Sequence, residues 1–202
     1  MSPGTCAFVI RLRTSMKQRP IPFTVERASE GDARELGEIC SRTFITTYEG
    51  KHSDGRPKNW VHDYTRDKFQ ESALLAELRS PKVEIWVARV ETRIVGYFKL
   101  IQEAPLAILP DRNLACLERI YLMEASQGLG IGKALLTQAA TRARGLGFNG
   151  LWLGVWEENR AAIAYYLRHG FTRAGMLEWV AEYDDQRYVD IDELMVRVDD
   201  SG

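Results

Sequence analysis

Two features of this chain could do chemistry together: a run of glycines able to hold an anion, and a carboxylate on an apolar strand. Ser126–Leu136 reads SQGLGIGKALL, with Gly128, Gly130 and Gly132 alternating before a helical apolar run. Backbone N–H groups at such a turn converge at the positive end of a helix dipole and form a cradle for phosphate oxygens. Glycine lets those oxygens approach without a Cβ in the way. Three glycines also suit a plain tight turn. The dinucleotide fingerprint fails, because its third small residue falls on Lys133 or Leu135. The nucleotide P-loop fails as well: Gln127 stands where its first glycine belongs, and Ala134 where Ser or Thr belongs. What remains is Q-x-x-G-x-G, Gln127, Gly130 and Gly132, with Gly128, Leu129, Ile131 and Lys133 supplying the backbone around them.

The carboxylate is Glu118 in LERIYL. A two-residue period puts it on one face with Ile120 and Leu122. A charged group there marks a polar cleft and could take a proton, directly or through water. An ion pair with Arg119, or a solvated face, is the plainer reading.

Composition narrows the partners. The chain has 202 residues, 45% hydrophobic and 27% charged, with a formal net charge of -1. That describes an ordinary globular chain with a real core and no global field for nucleic acid or an anionic membrane. Cys6, Cys40 and Cys116 stand far apart with no CxxC pair, as expected of reduced thiols in a cytoplasmic protein. His52, His62 and His169 lack metal-ligand spacing, so no metal is expected. No apolar run is long enough to span a membrane. Residues 1–20 are expected to be a disordered tail, within which Met16 offers an alternative start, and residues 21–202 a single domain.

Periodicity supplies the elements that must position the chemistry. Phe23–Ser29 alternates as a strand. Gly31 and Asp32 open a helix with apolar Ala33, Leu36, Ile39, Cys40 and Phe44. Residues 49–59 form a polar Gly/Pro loop. A second helix is expected over about 61–79, its apolar face Phe69, Ala73, Leu74, Ala76 and Leu78, stopped by Ser80-Pro81. VEIWVARV and RIVGYFKLI read as a hairpin, and residues 102–113 as a loop near the sheet edge. A strand over 114–123 leads into the glycine turn and a helix to about Arg144. LWLGVW reads as a strand buried on both faces. NRAAIAYYLRHG is a helix capped by Asn159 and closed by Gly170, and two strands finish the chain. Strand, helix and strand over 114–156 require a parallel pair with a right-handed crossover. The expected fold is α/β, with a mixed, strongly twisted sheet covered by helices on both faces.

Two ordered motifs resemble the GCN5-related N-acetyltransferase superfamily. Its signature [RQ]-x-x-G-x-G/A, after the fourth strand, matches Gln127, Gly130 and Gly132. Its second signature matches Asn159, Ala162, Tyr165, Tyr166, Gly170 and Phe171, with LWLGVW between the two. The resemblance covers about residues 23–198; Gln127 replaces the commoner Arg and Tyr165 the commoner Phe. Within the superfamily, GYFKLIQ and the stretches around both motifs are most similar to bacterial spermidine/spermine N-acetyltransferases.

The resemblance implies a sheet of six to seven strands whose central parallel strands splay apart, and acetyl-CoA as co-substrate. It puts pantetheine beside Ile120, Tyr121 and Leu122, where a backbone N–H near Leu122 could polarise the thioester. It puts the pyrophosphate on residues 127–133 and a CoA contact on Asn159. Tyr166 becomes the general acid for the leaving thiolate; Tyr165 is expected to pack, and Glu118, from its own place on the strand, is the candidate general base. No cysteine matches a nucleophile, which favours direct transfer. The implied acceptor is a polyamine, with Glu49, Asp54, Asp63 and Asp67 near its distal ammonium groups. A protein N-terminus, an amino acid or an aminoglycoside stays open as acceptor, as does a CoA-sensing module without turnover. Homodimers are common in the superfamily.

Overall fold

The structure is a computed structural model and describes residues 21–102, 108–109, 112–183 and 186–199. The expected N-terminal tail, with Cys6 and Met16, lies outside the described residues, as does most of the loop predicted over 102–113.

In chain order the elements are β1 (Thr24–Arg27), α1 (Ala33–Tyr48), α2 (Trp60–Lys68), α3 (Glu71–Arg79), β2 (Val83–Val90), β3 (Arg93–Ile101), β4 (Ala115–Leu122), α4 (Ile131–Gly145), β5 (Gly150–Trp156), α5 (Arg160–Arg168), β6 (Thr172–Tyr183) and β7 (Gln186–Val198). Short 3-10 turns precede α1 and follow β4. The strands form one seven-stranded mixed sheet in the order β1-β2-β3-β4-β5-β7-β6. The β4–β5 pair is parallel, as the crossover through α4 requires, and the others are antiparallel.

The second helix is two. It breaks at Phe69 and Gln70, where Gln70 takes an extended ψ of 151°. Val61, Thr65 and Phe69 are buried at i, i+4 and i+8, and the next buried residue is Leu74. An unbroken helix would rotate Leu74 away from that stripe, and the break restores it. Burying Phe69 against Phe44 and Tyr64, with ring centroids at 5.8 and 6.2 Å, compensates for the lost turn.

Each face of the sheet has its own core. Leu135, Leu136 and Ala139 of α4 and Ile163 and Tyr166 of α5 pack on Phe98, Leu117, Leu151 and Leu153. Leu36, Ile39 and Cys40 of α1 and Leu74 of α3 pack on Ile85, Val87 and Tyr97 across the sheet. Cys40 and Cys116 are free buried thiols. Burial pushes Cys40 up to about 11 and Cys116 up to about 12, so both stay protonated and inert at neutral pH.

Candidate active site

The glycine turn has the backbone geometry that an anion cradle needs. Gly128 and Gly130 have φ of 78° and 82°, left-handed values that favour glycine. A Cβ at either would meet nothing within 4 Å, so the backbone angle, not crowding, selects glycine here. Gly130 is the N-cap of α4 and has no side-chain cap bond. The first backbone bond of α4 runs from the Ala134 N–H to the Gly130 carbonyl at 3.1 Å. The N–H groups of Ile131, Gly132 and Lys133 therefore precede the helix ladder and are available to a ligand. Ile131 is fully buried and Leu129 packs on the same core, so both can offer only backbone. Gln127 and Lys133 are exposed at the rim.

The Tyr165 hydroxyl stands beside this turn, a placement its position in the sequence did not suggest. Its hydroxyl is buried without a hydrogen-bond partner, 3.2 Å from where a Cβ on Gly132 would stand. The His169 ring packs on Tyr165 with centroids 4.1 Å apart, and His169 Nδ1 lies 2.8 Å from the Tyr165 carbonyl oxygen. An orphaned hydroxyl beside free helix N–H groups fits the oxygens of a pyrophosphate ester. Asn159 caps α5 by accepting a bond from the Ala162 N–H at 3.3 Å.

Beside the cradle the sheet opens. β4 and β5 pair only at Ala115–Leu151 and Cys116–Trp152. Beyond that, Ile120, Tyr121 and Leu122 are paired to β3 on one side alone. Their other edge offers unpaired backbone groups to an extended amide chain, the geometry of strand addition. Pantetheine is such a chain, so this gap and the glycine cradle together fit CoA.

Tyrosines gather at the gap from both faces. Tyr166 belongs to the α4–α5 core, and Tyr121 packs on the opposite core, its ring 5.9 Å from Tyr97. Burial, then the Tyr121 hydroxyl, pushes the Tyr166 hydroxyl well above its ordinary value. It therefore stays protonated at neutral pH, as a proton donor must. The Tyr121 hydroxyl acts on Tyr48 at the end of α1, and Tyr48 also feels the charge of Asp192 and the Tyr166 hydroxyl. Burial is the largest cause pushing Tyr48 up, to about 12.

Glu118 is placed differently from its expected position. Between β3 and β4 the register slips from Lys99–Arg119 to Leu100–Leu117, leaving Glu118 as the extra residue of a bulge. The bulge breaks the two-residue period. Leu117, Ile120 and Leu122 all pack on the α4 core, whereas Glu118 turns to Lys99 Nζ at 2.7 Å and Arg119 Nε at 3.1 Å. Glu77 closes the network with bonds to Lys99, at 2.8 Å, and to Arg119. Two cations and two carboxylates balance.

The loop over 49–59 is anchored by side chains rather than by secondary structure. Arg56 is buried, with bonds to both Asp190 oxygens at 2.7 and 3.0 Å and to Asp54 at 2.5–3.0 Å. Its guanidinium lies 4.8 Å over Trp60 and 5.4 Å over Tyr188. His52 stacks on Trp156 with centroids 4.5 Å apart and is held neutral by burial and then by Arg56. A cleft of about 590 Å³ opens here, lined among others by Lys51, Asp54, Trp156, Glu157, Glu158 and Asp190. Of the carboxylates expected to meet an acceptor, only Asp54 lines it. Glu49 pairs with His62 at 2.9 Å, Asp63 pairs with Arg66, and Asp67 is exposed. Among the described residues no group of His, Cys, Asp or Glu could hold a metal ion, and no helix is long and apolar enough to cross a membrane.

The acetyltransferase (GNAT) family model matches residues 45–171. An uncharacterized N-acetyltransferase from the pepI 3' region of Lactobacillus delbrueckii subsp. lactis is 32% identical, covering 82% of this chain and 92% of its own. An uncharacterized N-acetyltransferase of Mycobacterium tuberculosis is 30% identical, covering 81% of this chain and 99% of its own. Among solved structures, the PaiA N-acetyltransferase of Thermoplasma acidophilum in complex with coenzyme A aligns with a TM-score of 0.67, 23% identity, and coverage of 88% of this chain and 99% of that one.

Proposed function

The chain belongs to the acetyltransferase (GNAT) family and is an acetyl-CoA-dependent N-acetyltransferase, and we propose that it acetylates a primary amine of a polyamine by direct transfer at the gap between β4 and β5. In this reading the pyrophosphate of CoA occupies the cradle from Gln127 to Lys133 under the Tyr165 hydroxyl. Pantetheine runs along the free edge of Ile120–Leu122, and Asn159 adds a contact to it. The acceptor nitrogen attacks the thioester carbonyl, the C–N bond forms as the C–S bond breaks, and Tyr166 protonates the sulfur. The buried thiols Cys40 and Cys116, both protonated, are no nucleophiles, which favours direct transfer over an acyl-enzyme.

One observation carries the choice of acceptor: the cleft beyond Trp156 is lined by Asp54, Glu157, Glu158 and Asp190 against a single lysine, Lys51. Arg56 neutralises part of that charge and Arg160 lies 3.6 Å from Glu158, an exposed pair that a distal ammonium group can replace; Glu157 adds a second carboxylate. A chain diamine or triamine satisfies such a cleft better than an amino acid, whose carboxylate it would repel. The test is a comparison of kcat/KM for spermidine, spermine, amino acids, an aminoglycoside and a peptide N-terminus, repeated at rising salt. A polyamine should be preferred, and its KM should rise with salt as the Debye length shrinks. Preference for a neutral amine, or a flat salt response, contradicts the polyamine assignment.

A further inference from the structure

Asp192 is a carboxylate that the glycine cradle and Tyr166 leave without a task. It sits on β7, opposite Trp156 of β5 and Leu177 of β6. Its carboxyl lies against Gly154: a Cβ there would stand 2.9 Å from Asp192 Oδ2 and 3.4 Å from its Cβ. Gly154 is two residues beyond Trp152, where pairing to β4 has ended. Asp192 thus borders the gap on the face that carries Trp156 and Tyr48, and its charge acts on the Tyr48 hydroxyl. Among the described residues its carboxyl makes no side-chain hydrogen bond or ion pair. That isolation is unusual for a largely buried carboxylate, which is costly unless a cation or donor arrives. The Glu118 charge, by contrast, is already committed to Lys99 and Arg119.

We propose that Asp192 is the residue that receives the acceptor's ammonium group at the gap and takes its proton. This rests on the amine acetyltransferase reading above. One N–H proton of R–NH3+ passes to an Asp192 oxygen, and the freed lone pair of R–NH2 attacks the thioester carbonyl carbon. As the C–S bond breaks, Tyr166 gives its proton to the sulfur, and a proton from the newly acylated nitrogen restores Tyr166. Asp192 then releases its proton to solvent, so the sum is amide, thiol and one proton. Trp156 and Tyr48, with ring centroids 5.7 Å apart, supply aromatic faces that attract the ammonium group. Burial, then Asp190, raises Asp192 to about 6, which leaves it ionised at neutral pH yet closer to a working base than an ordinary carboxylate. The titratable groups that act on it are Asp190 on its own strand and Tyr48 on α1; His52 and Arg56 on the loop pair with Asp190 instead.

The test measures kcat/KM for the amine from about pH 5 to about pH 9 in wild type, Asp192→Asn, Glu118→Gln and Gly154→Ala. Acetyl-CoA binding is read in parallel by thermal shift. Wild type should show an acid limb, well below the amine's own titration near pH 10. Asp192→Asn should lose that limb and at least about tenfold in kcat/KM, with the acetyl-CoA shift intact. Gly154→Ala, which pushes the carboxyl aside, should lose activity in the same direction. Glu118→Gln should keep the limb. If Asp192→Asn keeps both rate and limb, or Glu118→Gln alone abolishes the limb, Asp192 is not the base. Absence of wild-type turnover with every amine overturns the acetyltransferase reading and this assignment with it, whereas wild-type turnover isolates the question to Asp192.

Discussion

The Tyr165 hydroxyl stands over Gly132 at the head of α4, 3.2 Å from where a Cβ on that glycine would be, and makes no hydrogen bond. A buried hydroxyl without a partner costs its desolvation, and a ligand oxygen that accepts from it would recover that cost. Tyr165→Phe should therefore leave the unliganded melting temperature unchanged or slightly raised, while KM for acetyl-CoA rises several-fold and kcat stays close to wild type. Calorimetry and steady-state kinetics check the two halves. An unaltered KM would remove Tyr165 from the cradle.

Gly130→Asp tests the cradle itself. Its φ of 82° strains any side chain, and a carboxylate there would repel a pyrophosphate bound as proposed. A hundredfold excess of CoA over its dissociation constant should stabilise wild type by about 2.7 kcal/mol. Folded Gly130→Asp should show no such shift; normal CoA binding by this variant would contradict the phosphate assignment.

Asp192 carries a stability cost that its substitution should reveal. Its folded value of about 6 lies above the unfolded value near 3.9. Between those values the native state binds more protons than the unfolded state, so this contribution falls as pH rises from about 4 through about 6. Asp192→Asn should then be more stable than wild type at pH 7, by on the order of 1 kcal/mol, with the difference fading near pH 4. Melting temperatures at the two pH values decide it, and equal stability at both would mean that the carboxyl is not desolvated.

Arg56 should prove the fastening of the 49–59 loop. Its removal leaves Asp54 and Asp190 facing each other without a cation. Arg56→Ala should cost about 3 kcal/mol, by urea unfolding, and Arg56→Lys nearly as much, because a point charge cannot bond two carboxylates in the fork geometry. A cost below about 1 kcal/mol would mean that the pair behaves as an exposed one.

Much of this architecture was legible in the sequence because it is local. Glycine spacing gave the turn before α4, apolar alternation gave β2 and β3, and Asn159 with Gly170 bracketed α5. The resemblance to acetyltransferases gave the family, and with it the splay between β4 and β5. What escaped was set by tertiary packing. A two-residue period makes Glu118 a cleft carboxylate, and the bulge against Leu100 cancels that period. The helix break at Phe69 follows from the need to bury that ring, which no local residue announces. Asp192 lies in the last strand, YVDIDEL, and only the pairing to β5 places it over Gly154. Arg56 and Asp190 are distant in the chain, so their bond had no signal in spacing.

The most direct measurement is thiol release from acetyl-CoA, in wild type and in Tyr166→Phe, with and without a primary amine, under conditions where chemistry is rate-limiting. Wild type should release CoA only when the amine is present. Tyr166→Phe should be slower by at least about tenfold while its CoA dissociation constant stays within a few-fold, because the hydroxyl acts on the sulfur only as charge develops there. A protein that CoA stabilises but that releases no thiol with any amine would be a CoA sensor, and that result would contradict the acetyl-transfer reading of this cleft.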